Sequence, residues 1–331
     1  DEAGFATQAM TLAPICSFPS AKVVLAGDPF QLGPIIHSPF HNRHCQDGSS
    51  LLEMLYFTHP EYKECVDRDD KLIITRLVKN YRSHEALLTV PNDLFYDNKL
   101  EACGDPMLIN SFVGWDELTN QRLPLVFHGV VGEEAREANS PSWFNAAEAE
   151  TVKSYVEKVL HYNRAGVSPA DIGVVTPYRK QVQKIRKILS RLPGGNDVVV
   201  GTVENFQGSE KRVIIISAVR SDEEFIKLDT LHGLGFLNDH KRFNVAVTRA
   251  MSLLVIVGNP FLLLRATTFQ RMIQHCVDTG CYIGPDLTDV LKELREAEEQ
   301  RGALEALEAA AEAIDEIEAL EIAELIDHFS E

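Results

Sequence analysis

The chain has 331 residues, 45% of them apolar, and a formal charge of −17 at pH 7. It is long enough for one large or two smaller packed domains. No uninterrupted apolar stretch approaches the roughly 20 residues needed to cross a bilayer, and nothing at the N-terminus looks like a signal peptide. The charge is unevenly spread: from Asp286 onward there are 16 Asp/Glu against 3 Lys/Arg, a net of −13, so residues 1–285 carry −4. An acidic total therefore does not exclude a basic groove on the body. The six cysteines are scattered, with no C-x-x-C pair, which suits a reducing compartment.

In chain order, apolar runs predict strands at "KVVLAG" (22–27), "LIITRL" (72–77), "LPLVFHGV" (123–130), "DIGVVTPY" (171–178), "DVVVGTV" (197–203), "RVIIISAV" (212–219) and "LLVIVGN" (253–259). Helical patterns lie between several of them, at residues 145–166 and 179–192, the second ending in the stop signal "PGG". Runs that are β-branched on both faces and alternate with amphipathic helices predict an α/β fold, a parallel sheet covered by helices. Ligands of such sheets sit at the carboxyl ends of strands. Polar tips follow the apolar runs at "GDPFQLGP", "TPYRKQ", "TVENFQGSE" and "GNP". Residues 304–326, "LEALEAAAEAIDEIEALEIAELI", predict an acidic amphipathic helix whose apolar stripe packs on its own body, on a second copy or on a protein partner, with a solvated, partly frayed tail as the remaining alternative. His37, His41, His44 and Cys45 gather in one loop, but no second ligand cluster sits at finger-like spacing, so no metal is assigned there.

Several polar segments share one chemistry. Hydrolysis of a nucleoside triphosphate needs a magnesium ligand, a water-orienting base and cations on the departing phosphate. Adjacent acids in "DEAG" (1–4), Asp1 and Glu2, suit the first two roles. Arginines in "VKNYRSH" (78–84) and "RFNVAVTRA" (242–250) suit the third, because a planar guanidinium fits phosphate oxygens and stays charged when desolvated. Gln31, at the tip of an apolar run, needs partners for its amide, and a phosphate with its water would supply them; the structural alternative is a turn-capping glutamine. Asp28 could hold the turn rather than touch a ligand.

Taken in order, "DEAG", "GDPFQLGP" (27–34), "VKNYRSH", "TPYRKQ" (176–181), "VGTVENFQGSEKRVIIIS" (200–217) and "RFNVAVTRA" resemble motifs two through six of the superfamily-one helicases of the Upf-like group. "AGDPFQLGPII" and "TRLVKNYRSH" are most similar to the Armitage-type RNA helicases of small-RNA silencing. The resemblance covers roughly residues 1–265 and implies a RecA-like P-loop helicase fold, ATP and Mg as cofactors, and single-stranded RNA as partner, with DNA left open. It implies Asp1 on the magnesium, Glu2 polarising the water, and Gln31 sensing the γ-phosphate. Tyr81 would face the adenine, Arg82 and Arg249 would reach the γ-phosphate, and Glu210 would bond the ribose from a loop shaped by Gln207 and Gly208. Thr176, Pro177, Tyr178 and Thr202 fall where the family grips the sugar-phosphate backbone, a sequence-independent contact. The helix bearing Lys180, Lys184, Arg186, Lys187 and Arg191 either adds positive field there or is a plain solvated face.

The expected organisation is the end of a first RecA-like domain at 1–65, a second at 66–285, and an acidic helical tail at 286–331. No G-x-x-x-x-G-K-[ST] occurs in the chain. The expectation is thus a fragment that begins inside the first domain and alone neither hydrolyses ATP nor unwinds nucleic acid. For the parent the expectation is a 5′-to-3′ RNA helicase in the cytoplasm, or the nucleus. A DNA helicase of the same group and a non-catalytic interaction module are the alternatives. No membrane partner is expected.

Overall fold

The computed structural model describes residues 1–36, 49–68, 70–137, 140, 142–221 and 239–302. These divide after Gly284 into one unit, Asp1–Gly284, and a second that begins at Pro285. In the second unit residues 288–302 are helical, and the Asp286 carboxylate caps them by accepting from Thr288 N at 2.9 Å and Thr288 Oγ1 at 2.6 Å. The acidic helix expected over 304–326 and the cluster of His37, His41, His44 and Cys45 lie outside the described residues. Among the described residues no helix is long and apolar enough to cross a membrane.

The first unit opens with helices α1 (Gln8–Ser17), α2 (Leu51–Phe57) and α3 (Pro60–Asp67), followed by strand β1 (Lys79–Asn80), helix α4 (Glu85–Phe95), strand β2 (Glu101–Ala102) and helix α5 (Pro106–Ile109). Then come β3 (Leu125–Gly129), the hairpin β4 (Glu134–Arg136) and β5 (Trp143–Asn145), α6 (Ala146–His161), β6 (Ile172–Val175), α7 (Arg179–Leu189), β7 (Val199–Gly201) and β8 (Lys211–Ser217). The unit closes with α8 (His240–Val247), β9 (Ala250–Gly258), α9 (Pro260–Leu263), α10 (Thr267–Asp278) and β10 (Tyr282–Ile283). Six strands form one sheet in the order β10-β3-β9-β8-β6-β7, every pair parallel. The fold is the RecA-like α/β arrangement of P-loop helicases.

The central strands are apolar on both faces because both faces are covered. Val213 to Ile216 in β8 and Leu253 to Val257 in β9 are all buried. Asn145 starts α6 by accepting from Glu148 N at 3.1 Å, and Ala149, Val152, Val156 and Val159 form its buried stripe. In α7 the buried residues are Gln181, Val182, Ile185 and Leu189, so the basic residues lie on the other side.

Five expected strands form, but "KVVLAG" and "LIITRL" do not. Residues 22–27 form no ladder, touching the chain's start at Ala3 N→Ala26 O, 2.9 Å. Residues 72–77 hold a turn and an extended stretch, with pairing only at Lys79–Asn80 against β2. A strand is completed by its neighbours, and apolar character alone does not supply them: Val24 is 88% exposed and Leu72 94%.

Candidate active site

The first two motifs meet through their backbones. A Cβ on Gly27 would lie 2.9 Å from Ala3 N, and one on Gly4 2.9 Å from Asp28 O, so only glycines allow this approach. The contact sets the exposed pair Asp1 and Glu2 beside the turn at 28–31. Glu2 takes a left-handed φ of 54°, its N–H donates to Asp1 Oδ1 at 3.0 Å, and Gln207 Nε2 donates to Glu2 Oε2 at 3.3 Å.

Asp28 organises the turn. Its Oδ1 accepts from Phe30 N at 2.9 Å, while Oδ2 accepts from Gln31 Nε2 at 2.9 Å and from the Tyr96 hydroxyl at 2.8 Å. The Phe30 ring anchors the turn among Tyr56, Phe57, Phe95 and Tyr96, at centroid distances of 5.5–6.2 Å. That leaves Gln31 Oε1 to accept from Arg249 Nη2 at 3.1 Å, which joins residues of the first expected domain to those of the second.

Arg249 follows α8 and directly precedes β9. It is buried, donating Nε to Val245 O at 3.2 Å and Nη1 to Ser209 O at 3.3 Å. Burial lowers its pKa to about 10, Arg82 adds repulsion, and Tyr96, Glu2 and Asp28 oppose the shift. Arg82 is aimed by a tight turn in which Asn80 Oδ1 accepts from Arg82 N and Ser83 N, both at 2.9 Å. Its Nε donates to Glu210 Oε2 at 2.6 Å and its Nη1 to Thr248 O at 3.3 Å. Tyr81, beside it, is 69% exposed and offers an open ring face. Gly208 takes φ 69° in the loop between Gln207 and Glu210.

Glu2, Gln31, Arg82, Arg249, Gln207 and Glu210 thus form one linked cluster, with Asp1, Tyr81 and Gly208 adjoining it. It lies at the amino ends of β8 and β9, where Glu210 and Arg249 directly precede those strands and Lys211 N donates to Arg249 O at 3.0 Å. The strand-end rule alone pointed to the carboxyl ends. The expected nucleic-acid residues are there instead, after β6 and β7, at the other end of the sheet. Of these, Thr176 is fully buried and its Oγ1 has no hydrogen-bond partner. Tyr178 is also buried, its hydroxyl accepting from Arg220 Nε at 2.8 Å. Pro177 and Thr202 are partly exposed, and Thr202 Oγ1 donates to Asn205 Oδ1 at 3.2 Å. In this arrangement the Thr176 and Tyr178 side chains support the surface and do not line it. On α7, Lys180 and Lys184 both pair with Glu137, at 2.5 and 2.9 Å, which reduces the free positive charge of that face.

Beneath that end lies a buried polar network that the motifs did not foreshadow. Arg220 donates Nη1 to Glu134 Oε1 at 2.8 Å, and its guanidinium lies 4.6 Å from the Trp143 ring centre and 5.1 Å from that of Tyr178. Glu148 accepts from Ser217 Oγ at 2.6 Å and from Val219 N at 2.8 and 3.0 Å. Burial pushes the Glu148 carboxyl up to about 8. Its grip holds Val219 at φ 75°, a strained conformation for a β-branched residue.

The parallel sheet covered by helices defines an α/β protein of the P-loop class. The AAA domain family matches residues 49–260, and the chain belongs to it, in the Upf-like helicase group. It is 46% identical to "RNA helicase Mov10l1" of Homo sapiens, over 89% of this chain and 25% of that protein. It is 44% identical to "Putative helicase mov-10-B.1" of Danio rerio, over 87% and 30%. With "Probable RNA helicase armi" of Drosophila melanogaster the identity is 35%, over 88% and 25%. The chain thus spans about a quarter to under a third of the length of these relatives.

Proposed function

We propose that this chain is part of an ATP-dependent RNA helicase motor that moves 5′ to 3′ on single-stranded RNA. The observation that carries the reading is the Arg249–Gln31 hydrogen bond with Arg82 alongside. A desolvated guanidinium repelled by a second one is relieved by an anion between them, and the departing phosphate of ATP is such an anion. Residues 1–65, as the end of a first RecA-like domain, and residues 66–285, as a second, would close on the nucleotide.

The residues present fit ATP with magnesium. Arg82 and Arg249 would hold the γ-phosphate, Tyr81 the adenine, and Glu210 the ribose once released from Arg82. Glu2 would orient the attacking water. Asp1 would hold the ion together with phosphates and water. The bound magnesium would neutralise charge developing on the phosphates. Thr202, Pro177 and the main chain at 176–178 would face the RNA backbone. The names of the relatives favour RNA over DNA, and the Armitage-like resemblance extends the proposal to small-RNA silencing in the cytoplasm. The acidic segment from residue 286 onward would serve a protein partner.

The test is ATP turnover and duplex unwinding by the full-length protein, on RNA and DNA duplexes with 5′ or 3′ tails. RNA-stimulated turnover with 5′-tailed unwinding is expected, and Arg249→Ala should lower kcat by about 10³-fold or more. Absence of nucleic-acid-stimulated hydrolysis, or full activity in Arg249→Ala, refutes the reading. The 331-residue chain alone is expected to release no phosphate.

A further inference from the structure

Tyr96 lies outside every motif quoted above, yet its hydroxyl closes a ring of hydrogen bonds around the Gln31–Arg249 contact. Asn244 Nδ2 donates to Phe30 O at 3.0 Å and to the Tyr96 hydroxyl at 2.8 Å, and that hydroxyl donates to Asp28 Oδ2 at 2.8 Å. Gln31 Nε2 donates to the same oxygen at 2.9 Å, and Arg249 Nη2 donates to Gln31 Oε1 at 3.1 Å. Asn244 and Arg249 belong to α8 and the turn that ends it, where Thr248 Oγ1 donates to Asn244 O at 2.7 Å and Arg249 Nε to Val245 O at 3.2 Å.

The chemistry of the groups gives this ring a direction. A main-chain carbonyl only accepts, so Phe30 O turns the Asn244 amide nitrogen toward itself and Tyr96. The hydroxyl has one proton and already accepts from Asn244, so that proton goes to Asp28. An ionised carboxylate also only accepts, so Asp28 draws the NH2 end of Gln31. The oxygen of Gln31 is then the end left for Arg249, which only donates. A Gln amide with its ends exchanged would set NH2 against guanidinium and oxygen against carboxylate.

We propose that Tyr96 is a positioning residue of the nucleotide site, orienting the Asp28 carboxylate and through it the Gln31 carboxamide, so that Gln31 presents its oxygen to Arg249. This rests on the cluster being the phosphate-handling site proposed above. Tyr96 touches no reacting atom; it acts through Asp28.

The experiment is RNA-stimulated ATP turnover by the full-length protein carrying Tyr96→Phe, Gln31→Ala, or both. Tyr96→Phe should lower kcat about tenfold with KM for ATP within about twofold, and the double variant should be no slower than Gln31→Ala alone, because both act through one amide. Asp28→Asn, which keeps the shape but adds a donor where only acceptors stood, should reproduce the loss with an unchanged thermal midpoint. An unaltered kcat in Tyr96→Phe, or independent multiplying losses in the double variant, overturns the proposal while the function stands. If the unaltered protein shows no RNA-stimulated turnover, the functional reading fails and the proposal falls with it.

Discussion

Replacing Arg220 by methionine isolates the buried network at the carboxyl end of the sheet. The Arg220 and Glu134 side chains are 2% and 3% exposed, so the pair is fully desolvated. Methionine fills most of the space and can still pack on the Trp143 and Tyr178 rings. What is lost is the charge that compensates Glu134, whose Oε2 keeps the Ser221 N–H at 2.9 Å. Stranding a buried carboxylate in this way costs about 3–5 kcal/mol. With about 2–4 °C per kcal/mol for a domain of this size, the thermal midpoint should fall by roughly 6–20 °C. Adding Glu134→Gln removes the stranded charge and should recover at least half of the loss, which separates charge from packing. Denaturation of the two single variants and the double variant measures this. A loss under about 1 kcal/mol in Arg220→Met, or strictly additive single losses in the double variant, would refute the reasoning.

Three further outcomes are expected. The Glu148 pKa is raised from 4.5 to about 8 on folding, so below pH 4.5 both states bind its proton and no penalty applies. Between those values the folded state alone keeps the proton, and stability falls as pH rises through the window, by on the order of 4 kcal/mol at pH 9; urea midpoints that fall equally in Glu148→Gln would contradict this. Gly173→Ala places a Cβ 2.6 Å from the Phe206 ring and 2.8 Å from Ile214 Cδ1, and should destabilise by about 1–3 kcal/mol in urea unfolding; wild-type stability would mean the neighbouring rings yield freely. Tyr81→Ala should leave the thermal midpoint unchanged, because the side chain is exposed, while weakening a fluescent adenine nucleotide about tenfold through loss of one stacking face; unchanged titrations would remove Tyr81 from the site.

Much of the six-stranded sheet was legible in the sequence, because strands buried on both faces, such as β8 and β9, carry uninterrupted β-branched runs. "KVVLAG" and "LIITRL" carry the same signal and form no ladder, since pairing depends on neighbours that a local pattern does not report. The arginine-glutamine cluster was legible as a set of motifs in order, and the fold brings Gln31 to Arg249 across 218 positions of sequence. Tyr96 was not legible. A tyrosine closing a helix is ordinary in sequence, and its hydrogen bond to Asp28 spans 68 positions. Tyr178 and Thr176 were expected to face nucleic acid at the carboxyl ends of the strands, but a strand-end residue can turn inward, and here Arg220 and the neighbouring strands hold both from solvent.

The two ends of the sheet are joined by β8 and β9, whose shared register runs from Lys211 opposite Ala250 to Ser217 opposite Val257. The seven residues of β8 cover roughly 20 Å at about 3.3 Å per residue. Close-packed interiors compress little. A strand pair of this kind is a stiff spacer between the Arg249 tip and the tip at Ser217 and Val257. The spacing between the strand tips that carry the arginine cluster and the Thr176–Thr202 edge is therefore set by strand length.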